Sequence, residues 1–225
     1  MKIGILQTGH SPDTMVDEFG DYGDLFVQLL DGQGLSFEIF SVVDSVFPGS
    51  ITDAEGWLIT GSRYGAYEDH DWIPPLEDFL RAAFKAEIPI VGICFGHQIL
   101  AQALGGKVAK YDGGWTVGPT EYQMNGSKTM LNAWHQDQVI ERPTGAKVIG
   151  TAAHCENAML AYGDTALTIQ AHPEISNSFV KGLVDGRGRG RVPDTLLDQA
   201  LERLSEPIAQ QAFATKMADF FKQPR

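Results

Sequence analysis

Ile88-Pro89-Ile90-Val91-Gly92-Ile93-Cys94-Phe95-Gly96-His97-Gln98-Ile99-Leu100 is the stretch on which the reading of the fold turns. The apolar run Ile88 to Ile93 reads as a buried strand. It stops at a cysteine set between two glycines. Ile99, Leu100, Ala103 and Leu104 then recur at helical spacing until Gly105-Gly106 ends the pattern. Strand, sharp turn and helix in this order give Gly-x-Cys-x-Gly the shape of a nucleophile elbow, where small neighbours let the backbone approach closely. A thiol at a helix N-terminus meets the positive end of the dipole and free N–H groups, which favour the reactive thiolate. The Phe95 N–H would face an oxyanion forming on the attacked carbon. The competing reading is a buried structural cysteine beside packing glycines; the strand before Cys94 and the helix after it weigh against that.

Outward from this turn, strands and helices alternate. Lys2 to Gln7, Phe37 to Val43 and Gly56 to Thr60 read as strands, with helical spacing in Tyr22 to Leu30 and in Trp72 to Ala86. Such alternation predicts an α/β fold, a mostly parallel sheet with helices on both faces. In these sheets active groups gather beyond the carboxyl ends of the strands, where both Cys94 and the loop beginning at Gly61 are expected. Lys107 to Leu167 is richer in short strand-like runs and predicts a small antiparallel extension. Thr165 to Gln170 reads as a further buried strand. Leu197, Leu201 and Leu204 mark one late helix, and Ala209, Phe213, Met217 and Phe220 another, with Pro207 expected in its first turn. Residues 1–225 read as one domain, with the chemical motifs within 58–174 and a helical region over 193–223.

Apolar residues make up 43% of the chain, enough for a substantial core, and 29 acidic residues against 17 basic ones leave a formal charge of −12. That balance opposes a phosphate backbone, so no nucleic-acid partner is expected. No apolar run approaches the roughly 18 residues of a membrane helix, and the N-terminus lacks a signal-peptide pattern. With two cysteines, a secreted disulfide scaffold is a poor fit, and a cytoplasmic setting is expected.

Gln170-Ala171-His172-Pro173-Glu174 supplies what a cysteine nucleophile lacks, a base and an acid. Pro173 biases His172 toward an extended backbone, and residues i and i+2 of an extended segment share a side, so Glu174 can support the His172 ring. Of the other histidines, His97 lies on the first turn after the elbow and is expected to pack or cap. His154 and Cys155 are neighbours, and neighbours in a strand face opposite ways. Asp69-His70-Asp71 reads as a solvated turn before a helix, so neither a metal nor a cofactor is expected. Trp115 and Trp134 read as core or pocket wall. Gly186-Arg187-Gly188-Arg189-Gly190-Arg191, without aromatic stacking partners nearby, reads as a flexible surface loop that docks an acidic partner or substrate.

These motifs resemble the class I glutamine amidotransferase domain. Gly92-Ile93-Cys94-Phe95-Gly96-His97-Gln98 is similar to its nucleophile motif and His172-Pro173-Glu174 to its second motif, in the expected order. Leu58-Ile59-Thr60-Gly61-Ser62 is similar to its oxyanion loop. Trp134-His135-Gln136-Asp137-Gln138-Val139 is similar to the segment lining its glutamine pocket. The resemblance covers about Lys2 to Glu174 and implies a flavodoxin-like sheet with Cys94, His172 and Glu174 as a triad. It further implies an oxyanion hole from Phe95 with Gly61 or Ser62, and glutamyl contacts from Gln98, Asp137 and Gln138. Gly61-Ser62-Arg63 departs from the common Gly-Gly-Pro, and Trp134-His135-Gln136 from Ser-His-Gly. The implied reaction is hydrolysis of glutamine through a glutamyl thioester, releasing ammonia. No synthetase motif follows Glu174, so the implied enzyme acts alone or with a separate synthetase subunit. The likeness is to the stand-alone branch, which includes γ-glutamyl peptidases, so the alternative substrate is a γ-glutamyl peptide or conjugate. The other alternative, a non-catalytic module, has no chemical need for all three triad residues.

Overall fold

The computed structural model describes residues 1–124 and 126–225. Its first four strands are short apolar runs, β1 (Lys2–Leu6), β2 (Ser36–Phe40), β3 (Gly56–Ile59) and β4 (Ile90–Ile93). They pair in parallel in the order β2-β1-β3-β4. Parallel neighbours need crossovers, and helices supply them. These are α1 (Asp13–Phe19) and α2 (Tyr22–Leu29) after β1, α3 (Ile73–Lys85) after β3, and α4 (Phe95–Ala103) after β4. Asp21 caps α2 with a reciprocal Asp24 contact, and proline occupies the first turn of α3, where a missing N–H costs nothing.

The chain then runs through β5 (Lys107–Lys110), β6 (Thr116–Met124), β7 (Ser127–His135), β8 (Asp137–Glu141), β9 (Lys147–Ala152), β10 (Cys155–Tyr162) and β11 (Ala166–Ile169). β11 returns to lie parallel to β4, with Ile169 opposite Ile93, while β10, β9, β6 and β7 continue the same nine-stranded sheet antiparallel. β5 and β8 pair separately. Helices α5 (Asn177–Leu183), α6 (Asp194–Glu202) and α7 (Gln210–Lys222) complete the chain. This is the α/β fold with a large central sheet that the sequence predicts, parallel from β2 to β11; the antiparallel extension, β10-β9-β6-β7, is larger than the small one expected and continues the same sheet.

Strand alternation divides the core between the two faces. Trp57, Ile59 and Ile90 pack with Leu76 and Leu80 of α3 and Ile99 and Leu100 of α4. Leu58, Val91 and Ile93 point the other way, to Phe26 of α2 and to Phe213, Met217 and Phe221 of α7. Among the described residues no helix is long and apolar enough to cross a membrane.

Three local expectations give way to tertiary contacts. Pro207 precedes α7 instead of opening it, because the Ala209 N–H is taken by Met130 O at 2.8 Å and the helix begins only at Gln210. Leu204 lies past the end of α6. The arginine-glycine segment is not a free loop: Val184–Gly188 forms a π-helical turn in which Val184 and Gly188 are buried.

Gly96 sets how closely α4 sits on β3. A Cβ there would lie 2.5 Å from the Ile59 carbonyl oxygen, a backbone atom that cannot swing aside. Gly96→Ala should therefore lower the urea midpoint, by about 1–3 kcal/mol of stability or more, with no change in the slope of the transition.

Candidate active site

Cys94 is one of three non-glycine residues with positive φ among the described residues, at φ 51° and ψ −101°. The surroundings hold it in that unfavourable conformation. Its N–H donates to Ile169 O of β11 at 2.8 Å, and two residues on the Gly96 N–H donates to Thr60 O at 3.1 Å. The thiol is thereby lifted off the end of β4, while the Phe95 N–H opens α4, where no helical carbonyl can accept it. The adjoining loop after β3 is tied down by Thr8, whose hydroxyl contacts the carbonyls of Thr60 and Gly61 at 3.0 Å each.

His172 lies three residues past Ile169, the last residue of β11. Its N–H donates to Asn132 O at 2.8 Å, and the Asn132 side chain donates to Ile175 O at 2.9 Å, so β7 grips the segment on both sides of Glu174. His172 Nδ1 donates to Glu174 Oε1 at 2.6 Å, short even for a charge-assisted bond, and both residues are 7% exposed. That bond leaves Nε2 for the thiol. Burial alone would strip His172 of its proton. The negative charges of the Cys94 sulfur and the Glu174 carboxylate overcome it and raise the pKa well above the ordinary value. Gly61 stands against this pair: a Cβ there would lie 2.8 Å from His172 Cε1 and 3.8 Å from Cys94 Cβ.

The structure also brings in Gln170, quoted in the motif but assigned no role from sequence. Its amide Nε2 donates to Cys94 Sγ at 3.5 Å, and Gln98 Nε2 donates in turn to Gln170 Oε1 at 3.2 Å and to Asp137 O at 2.8 Å. Nothing in the local sequence separates Gln170 from a strand-end glutamine; only the pairing of β11 with β4 places it there.

A cleft of about 210 Å³ opens beside the thiol, lined by Ser62, Tyr67, Gln98, Trp134, Asp137, Arg187 and Arg191 among others. Trp115 belongs to the same wall, its ring centroid 6.5 Å from that of Trp134. Asp137 Oδ2 accepts from Tyr67 Oη at 3.2 Å, and Oδ1 has no partner among the described residues. Burial raises the Asp137 pKa, and burial with the Asp137 charge pushes Tyr67 up to about 12. Gln138 is the exception among the residues expected here. As the strand neighbour of Asp137 it faces the opposite way, donating to His154 O at 2.8 Å, and it does not line the cleft.

Cys155 and His97 behave differently. Cys155 is buried, and burial with the nearby Cys94 charge pushes its pKa up to about 12, an inert thiol. His97 packs fully buried, its Nδ1 2.8 Å from Thr168 Oγ1, and burial pushes its pKa down to about 3.

The sequence model of class-I glutamine amidotransferases matches residues 21–181. The chain belongs to that family. A gamma-glutamyl peptidase 4 of Arabidopsis thaliana is 33% identical over 183 residues, covering 74% of this chain and 73% of that protein. A GMP synthase (glutamine-hydrolyzing) of Bordetella parapertussis is 28% identical over 224 residues, covering 84% of this chain and 41% of that protein. Among solved structures, a glutamine amidotransferase of Methylobacillus flagellatus superposes with a TM-score of 0.77 over 98% of this chain and 91% of its own, at 22% identity. Family members of both printed kinds are enzymes, and this chain shares their fold.

His97 gives the fold an acid limit. Its folded pKa of about 3 lies below the ordinary 6.5, so the folded state binds fewer protons than the unfolded chain between those values. Stability from this group is complete above pH about 6.5 and is lost as pH falls toward 3. The urea midpoint should drop through that window, and in His97→Gln the drop should be shallower.

Proposed function

We propose that Cys94 is the nucleophile of a γ-glutamyl amide hydrolase, with His172 as its acid and base and Glu174 as the group that holds the imidazole. The observation that carries this is the buried His172–Glu174 contact of 2.6 Å beside a cysteine held at positive φ on a helix N-terminus. In the first half-reaction Sγ bonds to the amide carbon, the oxyanion is met by the N–H groups of Phe95 and of Gly61 or Ser62, and the C–N bond breaks as His172 gives its proton to the departing nitrogen. In the second, His172 takes a proton from water, the hydroxide adds to the thioester carbon, and the C–S bond breaks to release glutamate and restore the thiolate–imidazolium pair. The unpartnered Asp137 Oδ1 would accept from the glutamyl ammonium, with Gln98 beside it.

The leaving group divides the reading in two. With glutamine it is ammonia, for which a separate synthetase subunit is the proposed acceptor. With a γ-glutamyl peptide it is an amino acid or peptide. The kinship with the Arabidopsis peptidase favours this second reading, and the bond-making steps are the same in both.

Incubation with glutamine and with γ-glutamyl dipeptides, following ammonia and free amino acid separately, tests the proposal. Cys94→Ala should abolish both products, and Glu174→Gln should lower kcat by about 10²–10⁴-fold with little change in KM. Turnover that survives Cys94→Ala, or no turnover of any γ-glutamyl amide with or without a synthetase partner, would refute it.

A further inference from the structure

The alternating arginines after α5 are sorted by their surroundings. Gly188 is buried, and a Cβ there would lie 3.0 Å from the Trp134 ring and 3.2 Å from both Leu183 O and Leu197. The N–H groups of Arg191 and Val192 both donate to Gly188 O, at 3.1 and 3.0 Å. The backbone of the turn is thus pinned to the wall of the cleft. Arg189 faces α6, where Asp194 at 3.0 Å and Asp198 at 2.7 Å neutralise it. Arg187 and Arg191 instead line the cleft that holds Cys94. Arg187 donates to Tyr22 Oη at 2.8 Å, and neither arginine has a carboxylate partner among the described residues.

The charges of the cleft do not cancel. Four cations line it, Arg63, Lys110, Arg187 and Arg191, against the two carboxylates of Glu68 and Asp137, on a chain whose formal charge is −12. Arg63 is held over the Tyr64 ring, 4.8 Å from its centroid, and Lys110 acts on Asp137. A glutamyl group brings one ammonium and one carboxylate, which leave that surplus untouched. Glutamine adds no further charge. A γ-glutamyl peptide adds a carboxylate on the far side of the scissile bond.

We propose that Arg187 and Arg191 bind the carboxylate of the leaving group, making the preferred substrates γ-glutamyl peptides or conjugates whose leaving portion is anionic. The proposal rests on the reading of this cleft as a γ-glutamyl site. Arginine suits the task because its planar fork meets a carboxylate through two donors and never loses its charge. The two guanidiniums are specificity determinants, since they touch the departing part of the substrate and not the reacting carbon.

Binding to the unreactive Cys94→Ala protein separates this from catalysis. By calorimetry, γ-glutamylglycine should bind about ten-fold or more tightly than γ-glutamylglycinamide, the difference expected of a charged hydrogen bond. Adding Arg187→Gln and Arg191→Gln should erase that preference, adding Arg187→Lys and Arg191→Lys should retain part of it, and raising the salt should weaken it. Equal binding of acid and amide, binding of neither, or a preference that survives the glutamine pair would overturn the proposal. An intact preference in a protein whose wild type cleaves no γ-glutamyl amide would sustain the arginine assignment and sink the hydrolase reading instead.

Discussion

The contact between the first turn of α4 and the end of β3 is the constraint on which the rest of the site depends. Gly96 lies so close to the Ile59 carbonyl that no side chain fits, and its N–H is bonded to Thr60 O. With α4 drawn down in this way, the single residue between β4 and α4 must turn sharply, and Cys94 takes the positive φ that the turn demands. The placement of the thiol, the open N-terminus of α4 and the nearness of the Gly61 loop are all consequences of that one approach.

The same chain holds two buried cysteines, and their contrast shows what position does to a thiol. Cys155 sits in a strand among apolar groups, and burial favours its neutral form. Cys94 stands at a helix N-terminus beside an imidazole whose far nitrogen is held by a buried carboxylate. The Cys94 sulfur and the Glu174 carboxylate together let the buried His172 keep its proton. His97, buried without such a partner, cannot.

The antiparallel half of the sheet is more than an extension of the fold. β7 carries Asn132, which fixes His172 and Ile175, and Trp134, which backs the arginine turn. β8 delivers Asp137 to the cleft from the separate two-stranded sheet. Parallel strands thus place Cys94, while antiparallel ones hold His172 and build the wall facing it.

Much of this was legible in one dimension. The alternation of apolar strands and amphipathic helices, the glycines about Cys94 and the His172-Pro173-Glu174 spacing are local patterns. Local sterics and periodicity suffice to read a parallel sheet, an elbow and a histidine with its carboxylate from them. What the tertiary structure alone decided are matters of register and facing. Gln170 reaches Cys94 because β11 pairs with β4, and Gln138 leaves the cleft because it alternates with Asp137. The start of α7 is set by a bond from Ala209 to Met130. The arginine run looked like a solvated loop because its composition is polar and glycine-rich; it is ordered because Gly188 fits against Trp134, Leu183 and Leu197, residues that no window of sequence brings together. The chain by itself determined which groups can do chemistry here, since that is written in residue types and short spacings. Which of them meet, and which charges are left without carboxylate partners in the lining of the cleft, was decided by contacts between segments far apart in the chain.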